Sequence, residues 1–138
     1  MEKGYIPAPK IDKAQAKLIN PLSLAFVGDA VQTLFVRSRL TVENNTKSGV
    51  LHHMASSELS ACAQALEVKK VLPHLLPEEE EVYKRGRNCK TGRKAKNAAV
   101  TDYRKASGLE ALFGYLYLIG DYDRLAFLLE IASSEEDK

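Results

Sequence analysis

Two long apolar segments, each interrupted by a single carboxylate, constrain this chain more than any other feature. Residues 22–40, LSLAFVGDAVQTLFVRSRL, contain one acid, Asp29, directly after Gly28. Residues 106–119, ASGLEALFGYLYLI, contain one acid, Glu110. Desolvating a carboxylate without a partner is costly, so an acid in such a run is either a surface cap or a working group. Two lone acids on two apolar helices can meet across a core and hold a metal. Spacing alone leaves open whether they meet.

The first segment has two possible local structures. Leu24 and Phe26 could open a strand, with Gly28-Asp29 as a turn before a helix. Against that, Leu24, Val27, Val31, Leu34 and Phe35 follow a 3.6-residue period straight across the Gly-Asp pair. The pattern predicts one helix. Gly28 costs such a helix ~1 kcal/mol relative to alanine, which points to close packing there or to close approach of another chain.

The remaining elements follow in order. Residues 1–9, with two prolines, a glycine and no periodicity, read as an extended arm. Residues 11–20 read as a short amphipathic helix with Ala14, the Lys17 stem and Leu18 at helical spacing. Asn20-Pro21 ends it, because the residue before proline avoids helical geometry while Pro21 suits a new first turn. Residues 42–49 read as a polar connector. Residues 51–68 read as one long helix with Leu51, Met54, Leu59, Cys62 and Leu66 on one face. A short apolar piece, 71–76, closes at Pro77. The next helix runs to about Gly86, with Glu78, Glu79, Glu80 and Glu81 in its first turn, where the macrodipole favours anions. Two final helices, 100–119 and 122–133, are split by Gly120-Asp121. No alternating strand pattern and no repeat occur, so the fold class is all-α, one domain over 1–138 with about seven helices and an acidic tail at 134–138.

At 138 residues the chain is long enough to bury a core. No apolar run reaches the ~18–20 residues that spanning a bilayer requires, and residues 1–17 lack the apolar centre of a secretory signal. Cys62 and Cys89, without metal-ligand spacing, fit a reducing, cytoplasmic location. Net charge is only +2, but it is segregated. In residues 84–96, KRGRNCKTGRKAK, seven of thirteen are Lys or Arg and none is acidic. Arg85, Arg87, Lys90, Arg93, Lys94 and Lys96 suit phosphates, and Asn88 suits a sugar hydroxyl or base edge. The bland alternative is a solvated basic loop balancing Glu78–Glu81.

Each acid has a bland alternative too. Asp29 could cap a helix starting at Ala30. Ser107-Gly-Leu-Glu110 fits a capping box. The functional alternative uses them as hard oxygen ligands for magnesium, which keeps several waters, in phosphodiester hydrolysis. His52 and His53 diverge by about 100° on a helix and cannot grip one metal together; they read as packing or surface residues. Glu58 is an outside candidate for water-mediated metal support. Cys62 reads as core, and Phe113, Tyr115 and Tyr117 as core or dimer contacts rather than a stacking platform.

VGDAVQTLFVR followed much later by SGLEALFGYLY resembles the paired signatures of the ribonuclease III family. More narrowly, the chain is similar to Mini-ribonuclease III, the short version without a separate double-stranded-RNA-binding domain. The resemblance covers nearly the whole chain, including RGRNCKTGRKAKN and TDYRKASGLEAL. It implies that Asp29 and Glu110 are catalytic metal ligands for Mg2+, with Mn2+ a possible substitute. Larger family members have two further acids where this chain has Ala25 and Ser107, which implies fewer protein ligands here. The resemblance also implies a homodimer that cuts double-stranded RNA to 5′-phosphate and 3′-hydroxyl ends in maturation of large-subunit (23S) ribosomal RNA precursor. It implies no membrane partner and no small-molecule cofactor. Two rivals use the same residues: a non-catalytic RNA-binding ribosome-assembly module, favoured by Ala25 and Ser107, and a helical adaptor for an acidic protein.

Overall fold

A computed structural model describes residues 6–89 and 98–135. Lys90, Arg93, Lys94 and Lys96 of the basic stretch lie outside the described residues, as do the first five residues of the arm and 136–138 of the tail. Among the described residues there is no strand; seven α-helices follow in order: α1 Lys13–Lys17, α2 Pro21–Glu43, α3 Ser48–Glu58, α4 Ala61–Val71, α5 Pro77–Asn88, α6 Ala98–Leu118 and α7 Tyr122–Ser133. The class is all-α, as the sequence predicts.

The centre of the fold is α6. Ala106, Leu109, Ala111, Leu112, Phe113, Tyr115 and Leu116 are all buried, so this helix is apolar nearly all round and must be enclosed. It packs most extensively on α2, then on α5 and α4, with α7 folded back beside it. Gly120 ends it at φ +78°, a backbone angle that glycine adopts without penalty. The Gly120 N–H then bonds the Tyr117 carbonyl and the Asp121 N–H the Leu116 carbonyl, the Schellman pattern of helix termination. Asp121 accepts from the Arg124 N–H and starts α7.

The α2–α6 crossing is unusually close. A Cβ placed on Gly28 would lie 1.7 Å from the Glu110 carbonyl oxygen, and one on Gly114 would lie 1.9 Å from the Leu24 carbonyl oxygen. Only two facing glycines allow the backbones to meet like this. Gly28 therefore serves packing within the chain.

Five sequence expectations need correction. Residues 51–68 form two helices, because Ser60 accepts from the Ala63 N–H at 3.1 Å and caps a new start. That break turns Cys62 and Leu66 outward, and Cys62 is exposed instead of core. Helix α2 continues to Glu43, which shortens the expected connector to residues 44–47. Helix α1 is only Lys13–Lys17; it buries Ala16 and leaves Ala14 and Leu18 exposed. Finally, α5 passes through Gly86 to Asn88, because Gly86 packs on Gly108 and Ala111 of α6 and does not stop the helix.

The crossing makes a paired prediction. Gly28→Ala and Gly114→Ala should each destabilise the fold by about 3 kcal/mol or more, since a methyl has no room. Gly49→Ala, where nothing lies within 4 Å, should be neutral or stabilising by up to ~1 kcal/mol. Urea unfolding of the three variants checks this.

Candidate active site

Asp29 is not a cap. It lies inside α2, and Ser107 and Glu110 lie inside α6, so neither bland capping alternative describes the structure. Because Gly28 rests on the Glu110 backbone, the next side chain, Asp29, is delivered to the Glu110 carboxyl. The two acids are close enough to hydrogen-bond. Asp29 is exposed and Glu110 is half-buried behind it.

Burial pushes the Glu110 carboxyl up to about 7, and the neighbouring Asp29 adds to the rise. Gln64 opposes it by donating Nε2–H to Glu110 Oε2 at 3.2 Å. The same amide nitrogen donates to Gln32 Oε1 at 2.7 Å, and Gln32 Nε2 donates to Glu67 Oε1 at 2.8 Å. Burial raises Glu67 to about 7 as well, against the favourable bond from Gln32.

Sequence reasoning missed Gln32, Gln64 and Glu67. Their signal was present: Gln64 and Glu67 lie three apart beside Val68 and Val71 on the buried face of α4, and Gln32 lies three after Asp29. A polar residue at core spacing needs a partner.

The other expected site residues fall as follows. Glu58 is engaged in an ion pair with Arg39, which also reaches Glu43, and its charge contributes to the rise at Glu67. His52 and His53 are both exposed. Ala25 is buried and Ser107 half-buried. Among the described residues no three His, Cys, Asp or Glu side chains converge as a metal-ligand set. Phe113 and Tyr115 are core, and Tyr117 donates its hydroxyl to the Ile6 carbonyl at 2.6 Å.

The start of the basic stretch packs against the part of α6 that carries Glu110. Gly86 packs against Ser107, Gly108 and Ala111, the residues flanking Glu110, so Arg85, Arg87 and Asn88 sit on the neighbouring turns of α5. Neutral groups hold the two arginines: Arg85 meets the Ile19 carbonyl, while Arg87 bonds Asn88 and lies 5.7 Å from the Tyr83 ring centre.

Two crossing helices that carry one acid each, beside a basic helix end, define a class. Residues 22–121 match the family model described as "Ribonuclease III domain", so the chain is an endoribonuclease of the ribonuclease III type. It is 49% identical to a Mini-ribonuclease 3 from Enterococcus faecalis, covering 82% of this chain and 87% of that one. A Mini-ribonuclease 3 from Thermoanaerobacter is 41% identical over 83% of this chain and 80% of its own length. A third, from Clostridium tetani, is 38% identical over 94% and 86%. A crystal structure of a Fusobacterium nucleatum protein is similar at a TM-score of 0.73, with 28% identity, over 83% of this chain and 92% of that chain. The chain belongs to the Mini-ribonuclease 3 family.

The raised acids fix a pH dependence. Glu67 and Glu110 titrate near 7 in the fold against an ordinary value of 4.5, so folding favours their protonated forms. That contribution is complete below about pH 4.5 and is lost as pH rises through about 7. In chelator, melting temperature should fall between pH 5 and pH 8. Glu67→Gln should remove from that fall up to about 3 kcal/mol. Thermal melts of both proteins check it; identical pH profiles would contradict the assignment.

Proposed function

We propose that this chain is a divalent-metal-dependent endonuclease of double-stranded RNA that leaves 5′-phosphate and 3′-hydroxyl ends. The observation that carries the reading is the acid pair: Asp29 and Glu110, side chain beside side chain, on two helices locked by Gly28 and Gly114. Two adjoining acids, one partly desolvated, form a set of hard oxygen donors whose crowding a hard cation relieves. Asp29 and Glu110 would hold Mg2+ or Mn2+, with the remaining positions left to water and RNA. A divalent ion held by these residues would stabilise charge on a phosphodiester and lower the pKa of a water.

The chain's own groups do the rest. Asp29, exposed, faces the incoming phosphate. Glu110 ionises when the pair takes on positive charge, and its placement inside α6 keeps it from following the substrate. Arg85, Arg87 and Asn88 meet the RNA backbone beside the pair, and Lys90, Arg93, Lys94 and Lys96, outside the described residues, add further phosphate-binding charge in this reading. A-form RNA is read largely through phosphates, 2′-hydroxyls and shape, which suits such a surface.

The working unit is a homodimer, with one site for each strand. Phe26 is 82% exposed and Leu34 51% exposed on the outer side of α2; with Ala30 and Ser38, also exposed, they form an i+4 ridge of the kind that packs helix on helix. The catalytic domain spans 1–138. The substrate is large-subunit (23S) ribosomal RNA precursor, in the cytoplasm, a location consistent with two free cysteines.

Incubation of the protein with a long RNA duplex, with and without magnesium, tests the reading. Asp29→Asn should abolish cleavage while fold and RNA binding persist. Arg85→Ala with Arg87→Ala should weaken binding and reduce the log–log salt slope by about 0.7–0.9 for each phosphate that is no longer neutralised. Duplex binding without cutting at any metal would favour the ribosome-assembly module, and an unchanged slope would remove these arginines from the interface.

A further inference from the structure

Behind Glu110, three buried side chains form a line that nothing in the cleavage chemistry above requires. Gln32 and Gln64 are each 2% exposed and Glu67 6%; none of them is at the surface where RNA binds. They come from two helices and end on a third: Glu67 on α4, Gln32 on α2, Gln64 on α4 again, then Glu110 on α6. Apolar side chains of similar volume would fill this space without needing four matched partners.

The order of donors along the line is what matters. Gln32 gives its Nε2–H to Glu67, which turns its carbonyl oxygen toward Gln64. Gln64 must then present its nitrogen, and that nitrogen divides its two hydrogens between Gln32 Oε1 and Glu110 Oε2. A reversed Gln64 would set its carbonyl oxygen against Gln32 Oε1 and Glu110 Oε2 together, acceptor facing acceptor. The line therefore hands Glu110 an N–H at one oxygen and holds the carboxyl in one orientation beside Asp29. Partners of this kind behind a metal-binding side chain fix its rotamer and tune its affinity.

We propose that Gln64 is a positioning residue for Glu110, held in its donor orientation by Gln32 and Glu67, and that it sets the affinity of the acid pair for a divalent cation. The inference rests on the reading that Asp29 and Glu110 hold that cation.

The test is manganese binding by calorimetry to the full chain, beside steady-state cleavage of an RNA duplex, for the native protein, Asp29→Asn and Gln64→Met. Gln64→Met should bind manganese about 10-fold more weakly. Its kcat should fall at fixed manganese and recover as manganese is raised, with KM for RNA unchanged. A folded Gln64→Met with native manganese affinity and kcat overturns the proposal. If the native protein binds no manganese, or Asp29→Asn binds it as well as the native protein, the underlying metal reading fails instead. A magnesium titration of the native protein by NMR does not depend on any variant folding. The chain has three glutamines; the Gln64 side-chain amide signals should shift and those of exposed Gln15 should not. Unmoved Gln64 signals would also overturn the proposal.

Discussion

The structure depends on the crossing of α2 and α6 at Gly28 and Gly114. Helix axes normally lie 8–10 Å apart because side chains fill the space between them. Here the carbonyls of Glu110 and Leu24 occupy the places where two Cβ atoms would be. This explains how a surface acid on one helix meets a half-buried acid on another without a loop between them. Helices position side chains more rigidly than loops do, and this pair is fixed by backbone against backbone.

The same crossing concentrates electrostatic cost at the site. Glu110 and Glu67 are both pushed up to about 7, chiefly by burial. Two acids held away from water, joined through two glutamines, weaken the fold at neutral pH more than apolar residues would. Such cost clusters where a site is built for chemistry. Elsewhere the fold handles buried charge differently. Glu79, 2% exposed, takes two bonds from Arg124, at 2.8 and 2.6 Å, and the α5 start is anchored by that complete pairing. The contrast between a paired Glu79 and a Glu110 that faces another acid separates scaffold from candidate site.

Much of the fold was legible from short-range signals. Asn20-Pro21, the 3.6-residue period through Gly28 and the Gly120-Asp121 stop each act within a few residues, and each is in the structure. Ser60 was also a local signal, but the apolar spacing of Leu59, Cys62 and Leu66 obscured it, since that pattern continues smoothly across a cap. The site was legible only in part. The lone acids marked themselves by standing in apolar runs. Their meeting depends on Gly114, whose role exists only opposite Gly28. Gln32, Gln64 and Glu67 are likewise meaningful only as a set contributed by two helices 32 to 35 residues apart in sequence. Sequence periodicity can place a residue on a face; it cannot say which face lies opposite.

The central claim is that the glycine crossing builds one divalent-cation site from Asp29 and Glu110. Anomalous diffraction from crystals of the protein soaked in manganese tests it most directly. The expected result is a peak coordinated by both carboxylates, with Gln64 still bonded to Glu110 behind it. A peak held elsewhere, or at Asp29 alone with Glu110 turned away, would contradict it.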